Sequence, residues 1–303
     1  MESTKNYDRD ELDFQELFKI LWEGKIIISS VAFIFALVSI FYSLSLPNIY
    51  LSKALLNPVE SSAGVNKSLG GYSSIANLAG INLSTSNNDT NAAKALKKIS
   101  TLSFFTENIM PNIFLPDLVA AEDWDLTSNK IIYDKAIYND KNQSWVNNPQ
   151  NKELSLSAQK AYEIFLDNNL VFSSDLESGF IMIGIKHQSP YIAKEWTEII
   201  IDELNEFYRK KDKREAKTSI DFLNMQIAQT NFTEIKQVIA ELIQSKTQQL
   251  ALIEVGKFYV FEYLDPPAVM ERKSEPGRAI IVILGSIIGG FLGVLIVFLR
   301  KYI

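Results

Sequence analysis

The sequence predicts an α+β protein in which two transmembrane helices flank a large α/β base domain carrying a long helical projection, a hairpin in its simplest form. Three observations predict it. Residues 26–46 and 279–299 are each free of charge over a membrane-spanning length. Short apolar runs bounded by Asn, Gly, Ser and Pro read as strands between them. Residues 191–255 then contain neither Gly nor Pro and repeat apolar side chains every three or four positions.

Each uncharged run, as a helix rising about 1.5 Å per residue, covers the roughly 30 Å hydrocarbon core of a bilayer. Backbone amides in lipid must be satisfied internally, so both runs are read as helices. A cleaved signal peptide fits the first run poorly. Polar residues 1–25 precede it, its apolar part is too long, and no Ala-x-Ala-like site follows. Two spans place both termini on one side and residues 47–278 on the other. Lys19, Lys25, Arg300 and Lys301 on one side balance Lys53, Arg272, Lys273 and Arg278 on the other, a tie under the positive-inside rule. Long loops translocate largely regardless of charge and the first helix usually dominates, which favours termini in the cytoplasm.

Net charge is −6 with no basic block, which argues against nucleic acid as a partner. There are no cysteines, so disulfides, thiolate metal sites and Cys nucleophiles are excluded.

In chain order, Asp10-Glu11-Leu12-Asp13-Phe14-Gln15-Glu16-Leu17-Phe18-Lys19-Ile20-Leu21-Trp22 predicts a short amphipathic helix lying on the membrane surface. Trp22 and Lys25 suit the headgroup zone. Residues 50–56 read as a strand ended by Asn57-Pro58, and residues 61–91, rich in Ser, Gly and Asn, as a loosely packed loop interrupted by the apolar piece 75–81. A helix is expected from about Thr90 to Pro111, with Ala92, Ala95, Leu96, Ile99, Leu102 and Phe105 on one face. Residues 117–149 read as a polar stretch. Ser157 is a candidate cap for a helix over 158–167. Strands follow at 170–173 and 180–187, the second so apolar that both its faces are expected to be covered.

A single helix over 191–255 would reach roughly 100 Å. A break is expected near Thr230-Asn231, where Asn231 with Glu234 resembles a capping box. The charged run 209–215 reads as a solvated stretch of the rod. After Gly256 a strand over 258–264 leads back to the sheet. Pairing the first and last strands would set the two spans side by side, with the helical projection rising away from the bilayer.

Chemistry-bearing patterns are sparse. His187, the only histidine, stands at a strand end and reads as a surface or satisfied structural residue rather than a base. The sequence has no nucleophile elbow, His-Glu-x-x-His motif, EF-hand loop or phosphate loop. No catalytic residue, metal ligand or cofactor is predicted. One motif carries a mechanism: Gly285, Gly289 and Gly293 form overlapping Gly-x-x-x-Gly steps, with Ser286 and Gly290 beside them. Missing side chains let another helix approach closely in lipid, whether the first span or a neighbouring subunit.

The whole chain resembles the chain-length determinant (Wzz-type) polysaccharide co-polymerases, in the class without a kinase domain. The resemblance rests on Asp10-Glu11-Leu12-Asp13 with Leu21-Trp22-Glu23-Gly24-Lys25, on Pro47-Asn48-Ile49-Tyr50, and on the proline-rich approach Asp265-Pro266-Pro267 through Pro276-Gly277-Arg278. The Gly-spaced second span and the lead into the long helix, Ser189-Pro190 to Trp196 with Glu203-Leu204-Asn205, match as well. The juxtamembrane motif is accordingly Pro266, Pro267, Pro276 and Gly277, sparser than the family's fullest pattern because residues 269–275 contain no proline.

The resemblance implies a non-enzymatic bacterial inner-membrane protein. It would form a ring-shaped homo-oligomer and act with the O-antigen polymerase to set the modal length of lipopolysaccharide O-antigen. The lipid-linked polysaccharide is a further candidate partner. The expected organisation is a cytoplasmic segment 1–25, a span 26–46, a periplasmic domain 47–278, a span 279–299 and a cytoplasmic tail 300–303. Within the periplasmic domain, 47–190 and 256–278 form the base and 191–255 the projection. Length regulation or export of capsule or enterobacterial common antigen is the alternative within the class; O-antigen ranks first because the chain is short and ends too early for a kinase. A two-span periplasmic sensor is the alternative from another class, but 25 and four residues supply no output domain.

Overall fold

The computed structural model describes residues 20–59, 91–146, 157–175, 177–256 and 258–302. The expected amphipathic lead-in before Ile20 and the expected loop with its apolar piece 75–81 lie outside them. The chain is α+β and divides into two compact units, residues 1–48 with 274–303, and residues 49–273.

The first unit is a helix pair, α1 (Lys25–Ser45) and, at the other end of the chain, α7 (Arg278–Tyr302). Both are long and apolar enough to cross a membrane. Neither behaves as the core helix of a water-soluble domain, because Phe33, Phe41, Ile283 and Phe291 all point outward.

The second unit is built on a four-stranded antiparallel sheet of β1 (Tyr50–Pro58), β6 (Leu170–Ser174), β7 (Ile181–His187) and β8 (Phe261–Asp265). Its order is β6-β7-β1-β8, so the first and last strands pair. Strand alternation puts Ser52, Ala54 and Leu56 of β1 opposite Ile185, Ile183 and Ile181 of β7 on one buried face. Met182 and Lys186 on the other face stay half-exposed, so β7 is fully covered on one side only, contrary to expectation. Gly184 is needed where the two inner strands close up: a Cβ there would lie 2.6 Å from the Ser52 carbonyl oxygen.

The expected helix ending at Pro111 is two pieces. α2 (Asn91–Lys98) stops, and Thr101 restarts the chain by accepting a 3.3 Å hydrogen bond from the Phe104 N–H. The one-turn helix Leu102–Phe104 runs on through a π segment, Phe105–Ile109, and a 3₁₀ turn, Met110–Asn112. The stretch read as merely polar holds a short helix, α3 (Leu115–Val119), and two hairpins. These are β2 (Ala121–Asp125) with β3 (Lys130–Tyr133), and β4 (Tyr138–Asn139) with β5 (Ser144–Trp145). Ser157 caps α4 (Ala158–Ile164) through the Lys160 N–H, as its position before that helix predicts.

The long stretch is a helical hairpin. α5 (Pro190–Gln229) and α6 (Thr233–Val255) are separated at residues 230–232, where the break was expected. The expected capping box does not form: the N-cap residue is Phe232, and no side chain bonds to the helix end. α6 returns along α5, since Glu254 near its end pairs with Lys213 and the Gly256 carbonyl accepts from Arg209 Nη2 at 2.8 Å.

The boundary of the projection also moves. Ala193, Trp196, Thr197, Ile200, Ile201, Leu204 and Tyr208 in the first half of α5 are buried in the sheet core rather than standing in a rod. Apolar residues continue at the same spacing into the second half, but among them only Ala216 is buried.

Candidate functional site

Three places carry the features that the sequence singled out, and each is built by a different local rule. In the helix pair, α1 and α7 run antiparallel with contacts in steps of about four residues. A Cβ on Gly293 would come within 2.8 Å of Ile28 Cα, and one on Gly289 within 2.6 Å of Phe35 Cβ and 3.0 Å of Ala32 Cα. A Cβ on Gly285 would overlap the Ser39 hydroxyl, and one on Gly24 would overlap Val297. The missing side chains thus admit the facing helix along the whole pair. Gly290 does not belong to this face, since nothing lies within 4 Å of where its Cβ would be.

The proline-rich approach is divided between the units. Pro267 is buried and Pro266 exposed in the larger unit, where the neighbouring Ala268 carbonyl accepts a 2.8 Å hydrogen bond from Ser52 Oγ on β1. Pro276 and Gly277 in the smaller unit supply the carbonyls that the first N–H groups of α7 use. Arg278 N–H donates to Pro276 at 2.9 Å, and Ile280 N–H to Gly277 at 2.9 Å. The Glu275–Pro276 peptide is cis. Proline lacks an N–H and a helix start needs none there, so the motif delivers the chain to α7 with its end satisfied.

The third place is the base of the helical hairpin. Asn205 is 7% exposed and faces the segment leading into β8. Its Oδ1 accepts from the N–H groups of Val260 at 2.8 Å and Phe261 at 2.9 Å, with a longer contact to Tyr259. Its Nδ2 donates to the Phe261 carbonyl at 3.2 Å. About two turns further along, Asp212 Oδ2 accepts from the Tyr259 hydroxyl at 2.5 Å and from Asn91 Nδ2 at 3.0 Å. Burial, followed by the Asp212 contact, raises the Tyr259 phenol well above its ordinary range. Glu203 meanwhile receives Asn108 and Asn112 at 3.1 and 3.0 Å. Asn205 was named in the sequence only as part of a resemblance. Its stronger signal is position: it stands four after Ile201 and three before Tyr208, on the stripe that α5 buries.

His187 is buried and fully engaged. Its Nδ1 accepts the Ser189 N–H at 2.9 Å, which leaves Nε2 to donate to the Asp117 carbonyl at 3.0 Å, and its ring meets Trp196 edge-on at 5.1 Å. Burial lowers its pKa to about 4, only partly offset by the Asp117 contact. It is a structural histidine, neutral at pH 7. Among the described residues, no three His, Asp or Glu side chains converge as a metal site.

Comparison with known proteins bears on residues at the start of this architecture. Residues 10–101 match the Wzz family, described as chain length determinant protein. This segment is similar to the Wzz family. It takes in α1, β1 and α2, so the Wzz signature covers the first candidate span and an inner strand of the sheet. No curated protein matches. Among solved structures, one "full-length bacterial polysaccharide co-polymerase" is 15% identical, with 97% of this chain and 98% of that one covered and a TM-score of 0.39. A fragment of WzzB, a polysaccharide co-polymerase from Salmonella Typhimurium, is 12% identical over 75% of this chain and 100% of that one, with a TM-score of 0.29.

Proposed function

We propose that this protein regulates the modal chain length of lipopolysaccharide O-antigen, as an oligomeric inner-membrane co-polymerase working with the O-antigen polymerase. The observation that carries the reading is the Wzz family match over residues 10–101, which falls on the first candidate span and the sheet. In this account α1 and α7 cross the inner membrane, both termini are cytoplasmic, and residues 47–278 are periplasmic. The protein makes and breaks no bond. It acts through its assembly on the polymerase, with the lipid-linked polysaccharide as a further partner.

The surface of the hairpin supports an assembly. Phe222 and Met225 in the distal half of α5, and Phe232 and Ile235 at the turn, expose large apolar side chains that a single copy leaves in water. Copies set side by side in a ring would cover them. The close packing of α1 and α7 at Gly285, Gly289 and Gly293 would give each copy a compact anchor. The juxtamembrane residues Pro266, Pro267, Pro276 and Gly277 would join that anchor to the sheet.

The test compares lipopolysaccharide ladders from a parent strain, a deletion and a complemented deletion. A clustered O-antigen distribution that becomes random on deletion and returns on complementation supports the reading. An unchanged O-antigen ladder with a shifted capsule or enterobacterial common antigen would move the same mechanism to another glycan.

A further inference from the structure

At the end of the helix pair where α1 finishes and α7 begins, an open groove of about 440 Å³ is lined by Ile40, Ser43, Leu44, Ala279, Val282 and Ile283, with Arg278 at its mouth. That volume is within the range of small-molecule sites, and its walls are almost wholly aliphatic. Two polar groups in it lack the partners that buried polar atoms normally have. Ser43 is 1% exposed, and its Oγ has no hydrogen-bond partner, although a helical serine ordinarily bonds back to a carbonyl four residues earlier. Arg278 donates from Nη2 to Asn48 Oδ1 at 3.2 Å, while its Nε is buried without a partner. The first N–H groups of α7 are taken by Pro276 and Gly277, so positive charge here comes from the guanidinium.

An aliphatic groove with one cation at its mouth and a hydroxyl on its floor matches an apolar chain ending in an anion. Guanidinium groups prefer phosphate oxygens and hold them with several N–H bonds at once. In the membrane-spanning reading this end of the pair faces the periplasmic leaflet, where the surrounding molecules are phospholipids whose phosphates a guanidinium can hold. We propose that the groove is a binding site for one anionic glycerophospholipid, its phosphate on Arg278 and the start of one acyl chain along Ile40, Leu44, Val282 and Ile283. Bound there, the lipid sets its phosphate on the outer guanidinium nitrogens of Arg278 and lays its acyl chain across the groove above buried Ser43. The proposal rests on the membrane-spanning reading given above and is independent of the glycan.

The test is native mass spectrometry of the full chain released from nonionic detergent, with dipalmitoyl phosphatidylglycerol, the matching phosphatidylcholine or a polyprenyl phosphate added. The wild-type chain is expected to retain phosphatidylglycerol over phosphatidylcholine by about tenfold or more. Arg278→Gln should abolish that preference and Arg278→Lys, which keeps the charge but not the fork of N–H donors, keep only part of it. Ser43→Leu, which fills the floor and leaves the charge, should weaken retention. Equal retention of the two phospholipids, or an Arg278→Gln chain that keeps the preference, overturns the site. Displacement of phosphatidylglycerol by an equimolar polyprenyl phosphate overturns the assigned occupant. A chain that resists alkaline carbonate extraction but shows no preference loses only this site; one that carbonate extracts loses the spanning reading as well.

Discussion

Asn205 and Phe261 exchange two hydrogen bonds, side-chain amide to backbone peptide, across 56 residues of sequence. Phe261 is fully buried, and the Val260 N–H shares the same side-chain oxygen. The long helix and the last strand of the sheet are therefore locked by one polar side chain inside an apolar core. Removing it would leave at least two buried N–H groups without partners.

Asn205→Leu should accordingly cost about 2–4 kcal/mol of stability, since stranded buried polar groups carry the full desolvation penalty. Thermal unfolding of the detergent-solubilised chain is expected to show a drop of several degrees. Lys213→Ala, which removes the partner of exposed Glu254, should leave the unfolding midpoint nearly unchanged, because a solvent-screened ion pair contributes little. Equal effects from the two variants would contradict the lock.

Stability should fall with acid between about pH 6.5 and pH 4. Burial holds the folded-state pKa of His187 at about 4, while an unfolded histidine titrates near 6.5. In that window the unfolded chain binds a proton that the folded chain refuses, so stability rises with pH and is lost as pH falls. The contribution is on the order of 3 kcal/mol. Unfolding midpoints measured across the window should flatten in His187→Gln, and an unchanged slope would exclude His187 as the cause.

Gly289 and Gly290 should respond differently to the same substitution. A Cβ on Gly289 meets Phe35 and Ala32, whereas one on Gly290 meets nothing. Gly289→Ile is expected to lower thermal stability of the membrane-extracted chain by about 1–3 kcal/mol through overpacking. Gly290→Ile should leave it near the parent value. A matched loss in both would mean that helix propensity, not close approach, governs this face.

The exposed apolar side chains of α5 separate folding from assembly. Phe222→Glu with Met225→Glu should leave the melting profile of secondary structure intact, because both positions are already more than half exposed. The same pair should shift the particle to smaller sizes in detergent, as read by light scattering. An unchanged size would remove these residues from the contact between copies.

The parts of this fold that were legible in the sequence are those whose cause is local. Uncharged length marks both candidate spans, Ser157 marks a helix start, and the nearly continuous apolar run before His187 marks β7, although not that only one of its faces is covered. The break in the long stretch also showed near Thr230. Other features depend on partners far along the chain. Apolar spacing is the same in both halves of α5, so only the sheet beneath Trp196 and Ile200 reveals which half is core. The hairpins within 121–145 turn at Asn129 and Gln143, both with positive φ. Asn tolerates that conformation, and Asp125 and Asn139 open the turns by accepting backbone N–H bonds, so the turn chemistry was present within what was read only as a polar stretch. Tyr133 reaches Asp117 at 2.5 Å and Tyr138 meets Tyr133 and Trp145 edge-on, contacts that fix the register of these short strands without a period-two pattern. Of the motif residues, Gly285, Gly289 and Gly293 were visible from their spacing alone, whereas Asn205 needed the buried face of α5 to be known.

If this chain sets polysaccharide length, a single gel shows it. Lipopolysaccharide from a deletion strain, and from that strain expressing this chain, is resolved as a silver-stained ladder. The account predicts a random, declining ladder without the chain and a restored cluster of modal lengths with it. Identical ladders in both strains, with every other surface glycan also unchanged, would contradict it.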